Sequence, residues 1–147
     1  MPLYQPPSIP GLTVSGGVVT INDNSADQDF RVESDDNTHM LYVDAGNDRV
    51  AVGTDTPLAP LHVSDSGAGD VLIIESTDAG ATAAPDIVFY RNSASAATGD
   101  VLGRVEFRGR NAANNADISW AILEATAEDA TGGGEDGRFT IKVTRQG

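Results

Sequence analysis

The 147-residue chain contains no cysteine, which removes disulfides and thiolate metal sites and leaves the redox compartment open. Aromatic residues are scarce, four Phe, three Tyr and one Trp, so much of the 39% hydrophobic content is Ala and Val. The core that one chain can build is therefore thin. No apolar run approaches the length of a membrane span, and the start, MPLYQPPSIPGL, has neither a basic n-region nor an apolar h-region, so a soluble product is expected. Basic residues are few as well: nine Lys and Arg stand against 22 Asp and Glu, for a net charge of −13. Residues 1–90 hold 14 acidic and two basic side chains, residues 91–147 eight and seven. A surface this acidic repels phosphate backbones and disfavours nucleic acid as a partner.

Catalytic signatures are missing too. The only histidines, His39 and His62, fall in a turn and in a strand-like Leu-His-Val run, settings in which a lone His is usually structural. There is no G-x-S-x-G elbow and no H-E-x-x-H, and Gly132-Gly133-Gly134 runs into Glu135-Asp136, which would repel an anion. No catalytic residue and no cofactor is expected. Asp23, Asp27 and Asp29, or Asp44, Asn47 and Asp48, are the sets of hard oxygens a calcium ion would use, but neither loop has the EF-hand pattern. Turn formation by Asp and Asn is the competing explanation, and no metal site is assigned.

What the chain does have is punctuation. Phe30-Arg31-Val32, Met40 to Val43, Arg49 to Val52 and Leu61-His62-Val63 are short apolar runs separated by Asp, Asn, Gly, Ser, Thr and Pro, which reads as a series of brief strands. Strands of three to five residues expose edges and an apolar face, and another copy of the chain is the expected cover. Upstream, four of the seven prolines lie in the first ten residues, making an extended arm, and Ser15-Gly16-Gly17 separates two runs that predict a small hairpin. Downstream, Val71 to Glu75 predicts a strand buried on both faces, and Asp86 to Arg91 a further strand. From Leu102 to Arg110, alternation sets Val105 and Phe107 on one face and Arg104, Glu106 and Arg108 on the other. Ile118 to Glu128 has helix-forming Ala, Leu and Glu and a capping Asp117, yet its alternation and the glycine loop after it favour a hairpin with Arg138 to Thr144. The expected fold is all-β: residues 1–24 an arm and hairpin, 25–68 a short-strand meander, and 69–147 a compact antiparallel module.

The segment from Asp29 to Val63 resembles one found in tailed-phage fibre and appendage proteins, with the pattern F-x-V-x-x-D-x-x-x-x-x-L-x-V-D-x-x-x-D-R-V-x-V/I-G-T followed by a Pro turn and L-H-V. The matching positions are Phe30, Val32, Asp35, Leu41, Val43, Asp44, Asp48, Arg49, Val50, Val52, Gly53, Thr54, Pro57, Leu61, His62 and Val63. Leu102 to Phe107 and Glu135 to Thr140 are similar to the module that often follows, so the resemblance spans about residues 28–145. It implies a non-enzymatic homotrimer of interwoven β-structure on the outer surface of a virion. Such fibres usually continue into longer shafts or tips; a chain ending at Gly147 is expected instead to decorate or cement the capsid, with the major capsid protein as partner. The alternative is a tail-fibre component that binds a host receptor or surface glycan through the loops at 76–85, 92–100 and 111–117. A glycan-cleaving enzyme is disfavoured, since one Trp offers little sugar platform.

On this reading Pro2, Leu3, Tyr4, Pro6, Pro7, Ile9 and Pro10 form the anchoring arm. The trimer core is assigned to Phe30, Val32, Leu41, Val43, Val50, Val52, Phe89, Phe107, Trp120, Ile122, Phe139 and Ile141. Arg104, Glu106, Arg108 and Arg138 are the candidates for inter-chain ion pairs.

Overall fold

The computed structural model describes residues 12–22, 25–81, 84–112 and 116–145; the anchoring-arm positions lie outside them. Over the described residues the chain is all-β, with nine strands in three sheets and no helix. It divides into two compact units between Glu75 and Ser76.

In the first unit, β1 (Leu12–Ser15) and β2 (Val18–Ile21) form an antiparallel hairpin. Gly16 and Gly17, at φ of 58° and 81°, supply the two left-handed positions that a two-residue turn needs to match the strand twist. The four-stranded sheet follows, in the order β3 (Phe30–Val32), β4 (Leu41–Asp44), β5 (Arg49–Val52) and β6 (Leu61–Val63). The β4–β5 turn is closed by Asp44, whose carboxylate accepts from the backbone N–H of Asn47 at 2.9 Å and from its side-chain amide at 2.9 and 3.1 Å.

The meander breaks at its last strand, because β6 runs parallel to β5. Parallel neighbours usually need a crossover of about a dozen residues or more. Here residues 53–60 suffice, because Arg49 donates to the Pro57 carbonyl, Val50 N–H to Pro60 at 2.9 Å, and Leu58 N–H to Nδ1 of His62 at 3.4 Å. Pro57 is buried beneath this crossing.

The second unit is a three-stranded antiparallel sheet, with β8 (Asp117–Asp129) between β7 (Val101–Arg110) and β9 (Asp136–Val143). The ambiguous run after Asp117 is thus strand, and the glycine loop does return the chain as a hairpin. Two expected strands are absent. Val71 to Glu75 and Asp86 to Arg91 join no ladder, and their apolar side chains are exposed, Ile73 by 70% and Val88 by 80%. β-Favouring composition cannot make a strand without a neighbouring edge to supply hydrogen bonds. Segment 86–91 is instead held by side chains: Arg91 donates to the Val101 carbonyl at 3.2 Å and pairs with Asp100 at 2.9 Å, while Phe89 lies over Gly103.

Candidate functional site

Register decides which side chains share a face, because directly paired residues in neighbouring strands project to the same side. Across the four-stranded sheet, Phe30, Val43, Val50 and Leu61 form one row. Val32 pairs with Leu41, and Val52 with Val63, in the next row on that face. Every position is apolar. The structure thereby gathers six residues assigned from sequence to the trimer core, Phe30, Val32, Leu41, Val43, Val50 and Val52, on a single face. None of them is buried in the lone chain, and Val32 and Val52 are exposed.

The opposite face of this sheet carries Arg31, Tyr42, Ala51 and His62. Ala51 is wholly buried, the only hydrophobic residue in the described chain to be so. Its neighbours explain the closure. The rings of His39 and Tyr42 stand perpendicular with their centroids 5.5 Å apart, and the Tyr42 hydroxyl donates to Asp29 Oδ2 at 2.6 Å. Asp29 Oδ1 accepts from the N–H of Ala45 at 3.0 Å. The tyrosine hydroxyl, and then the Ala45 N–H, hold the Asp29 carboxyl below its ordinary range, while the carboxylate pushes the phenol up to about 12. Sequence reasoning missed this pair, whose members stand thirteen positions apart.

In the three-stranded sheet the contrast between faces is sharper. One face is built of three rows, Gly103–Ala125–Phe139, Val105–Leu123–Ile141 and Phe107–Ala121–Val143. All nine positions are apolar, and the side chains of the two outer strands are exposed, Phe139 by 66% and Ile141 by 65%. The other face is a lattice of charge. Arg104 donates to Glu106 Oε2, Arg108 lies 3.9 Å from the same carboxylate, Arg138 is 3.2 Å from Glu128, and Lys142 Nζ is 2.6 Å from Glu124. Arg104, with Arg108 beside it, holds the Glu106 carboxyl below its ordinary range. The four residues expected to pair between chains thus have partners within their own chain.

Two assigned core residues stand apart from the apolar rows. Ile122 pairs with Glu106 and Lys142 and so projects among the charges. Trp120 is the extra residue of a bulge, half exposed, with its indole N–H donating to the Gly109 carbonyl at 3.3 Å. Phe89, outside any strand, covers Gly103 at one end of the apolar face.

The polar groups nearest to a catalytic line are Thr38, His39 and Asp55. Thr38 Oγ1 lies 2.9 Å from His39 Nδ1, but Nε2 is 3.9 Å from the Asp55 carboxylate, beyond hydrogen-bond reach. The other histidine accepts the Leu58 N–H at Nδ1 as part of the crossover. Among the described residues no three His, Asp or Glu side chains converge as metal ligands, and the carboxylates of Asp29 and Asp44 are already engaged in local hydrogen bonds. What the arrangement offers is surface: two sheets, each with one apolar face. No protein-family model, no curated protein and no solved structure matches this chain.

Proposed function

We propose that this chain is a non-enzymatic structural protein of a bacteriophage virion, a homotrimeric β appendage attached through its N-terminal arm and decorating the capsid. One observation carries the reading: among the described residues, the buried hydrophobic core of a single chain is Ala51 alone. A chain of this size ordinarily buries well over half the surface it exposes when unfolded, and its stability comes chiefly from that burial. Copies that bring their apolar faces together supply the missing core and shelter strand edges at the same time. The resemblance of Phe30 to Val63 to virion appendage segments gives this self-assembly its setting.

The acidic surface fits the same role, since like charge keeps assembled particles apart in solution. The loop at 92–100 is knitted to the end of β8 by Gly99 N–H to Ala127 at 2.7 Å and Ala127 N–H to Asp100 at 2.9 Å, and it carries no aromatic side chain. Such a loop suits a structural surface better than a recognition site, where Trp, Tyr and Arg dominate.

The test is gold-labelled antibody against the folded protein, applied to intact particles of the phage that encodes it. Label over the head supports capsid decoration. Label confined to the tail selects the fibre alternative, and particles without label overturn the virion assignment.

A further inference from the structure

The second unit ends in an edge strand, β9, with one side unused. The Thr144 N–H donates to the Trp120 carbonyl at 3.0 Å, and backbone direction alternates along an antiparallel ladder, so Arg138, Thr140 and Lys142 turn their N–H and C=O groups toward β8. Gly137, Phe139, Ile141 and Val143 turn theirs outward, where no strand meets them among the described residues. The Gly137 N–H donates instead to its neighbour, the carboxylate of Asp136, at 2.9 Å. The opposite edge of the sheet is less open. The β7 ladder shifts register between Val101 and Gly103 and again between Phe107 and Arg108, and Arg91 occupies the Val101 carbonyl. Bulges twist an edge away from further pairing, whereas the β8–β9 register runs unbroken from Ala121↔Val143 to Ala127↔Gly137.

A regular open edge recruits an extended strand through its backbone groups, and side chains decide which strand and in what register. When β9 meets a second β9 antiparallel through the outward groups, two registers overlap most of the strand. The register centred on Thr140 sets Arg138 against Lys142 at both ends, and like charges directly opposite destabilise a ladder. The register centred on Phe139 sets Asp136 against Lys142 at both ends and Arg138 against Thr140 between them. On the other face it sets Gly137 against Ile141, small against large, and brings the two Phe139 rings together at the centre. Centring on Arg138 places that charge opposite itself, and centring on Ile141 shortens the overlap to residues 139–143 without pairing opposite charges. The strand is therefore complementary to itself in one register.

We propose that the outer edge of β9 is a two-fold contact between copies of the chain, antiparallel and centred on Phe139, with Asp136 of each copy opposite Lys142 of the other. The contact is isologous, each copy giving the same strand, and it makes one continuous sheet of two copies. It goes beyond the threefold assembly proposed above, which contains no two-fold axis, and stands independently of it.

Native mass spectrometry of the full chain tests it. The unmodified protein is expected at an even multiple of the 15.2 kDa chain mass, two copies or, with the threefold assembly, six. Asp136→Lys, which sets Lys against Lys142 of the neighbour, is expected to halve that mass. Asp136 is exposed, and its only contact is with the N–H of Gly137, so this variant leaves the chain's own ion pairs in place. A second measurement reads the register and uses the lack of native cysteine. In the proposed register residue 138 of one copy faces residue 140 of the other at about 4.5 Å between Cα atoms, within disulfide reach, while each lies about 8 Å from its own counterpart. Arg138→Cys and Thr140→Cys, co-expressed and oxidised, are therefore expected to give disulfide-linked dimers on a denaturing gel, and either variant alone none. A mass of three chains overturns this contact and leaves the threefold assembly standing; a mass of one chain overturns both. A mass of two chains supports the contact and overturns the threefold assembly. An assembled mass that survives Asp136→Lys, a disulfide in Thr140→Cys or Arg138→Cys alone, or none in the mixture overturns the proposed contact.

Discussion

The Tyr42 hydroxyl donates to Asp29 Oδ2 at 2.6 Å, tying the residue before β3 to the middle of β4. The bond raises the phenol to about 12 from 10.0 and lowers the carboxyl from 3.8. A depressed carboxyl stabilises the fold fully above its unfolded value and loses that contribution as pH falls through the folded one. A raised phenol stabilises fully below 10.0 and loses its contribution as pH rises through about 12. Tyr42→Phe should therefore lower Tm between those limits, with the deficit shrinking in acid below 3.8 and again in alkali above 10.0. Melting curves of both proteins across pH measure it; a deficit independent of pH would refute the linkage.

Gly53 closes β5 at a φ of 81°, and a Cβ built there would stand 2.0 Å from the Ser64 carbonyl oxygen. Its N–H also donates to the His39 carbonyl at 2.9 Å, so the backbone is pinned on two sides. The left-handed conformation alone costs a residue with a Cβ about 1–2 kcal/mol, and the clash with backbone adds to that. Gly53→Ala is expected to lose at least ~2 kcal/mol in urea unfolding. A loss under half of that would mean the β5–β6 crossover shifts easily.

Gly103 makes the corresponding demand in the second unit. A Cβ there would fall 2.6 Å from Phe89 Cβ and 3.0 Å from Cγ, so the whole residue must move rather than a side-chain tip. Overpacking of this kind costs about 1–3 kcal/mol. Gly103→Ala should lift segment 86–91 from the sheet and speed amide exchange there, while the β8–β9 hairpin keeps its protection. Unchanged exchange at 86–91 would show that Phe89 does not hold the segment.

Much of this architecture was legible because turns and alternation are local. Gly16-Gly17 marked the first hairpin, and the alternating Val105 and Phe107 against Arg104, Glu106 and Arg108 marked the two faces of β7. The apolar row through Phe30, Val43 and Val50 was implicit in the same periodicity. Where the outcome depended on a distant edge, composition misled. Val71 to Glu75 has the side chains of a buried strand and no ladder to join, and nothing in Leu61-His62-Val63 reveals that it runs parallel to β5. Ile122 shows the limit within a strand. Its alternation with Trp120 suggested a shared face, but the bulge at Trp120 breaks that alternation and leaves Ile122 among charges. The partners of Asp29 and Arg49 were equally invisible, since each is brought to its contact by a turn whose geometry no single residue encodes.

Glu124 is the one acidic residue buried in the described chain, and its carboxylate lies 2.6 Å from Lys142 Nζ. Arg104 stands directly opposite it on β7 and Thr140 on β9, so its surroundings are polar on both sides. Removing the lysine leaves a largely desolvated carboxylate with one hydrogen bond fewer, and an unsatisfied buried group costs about 1–3 kcal/mol. Lys142→Met should destabilise the chain by that order in urea unfolding. Replacing both partners is a different matter, because no carboxylate is then left to satisfy and an apolar pair of similar shape can do nearly as well. Glu124→Leu combined with Lys142→Met is therefore expected to recover much of the loss, leaving a coupling of about 0.5–3 kcal/mol between the two sites. If the double variant instead shows the plain sum of the two single losses, the pair is not coupled, and Glu124 owes its tolerance in this sheet to Arg104.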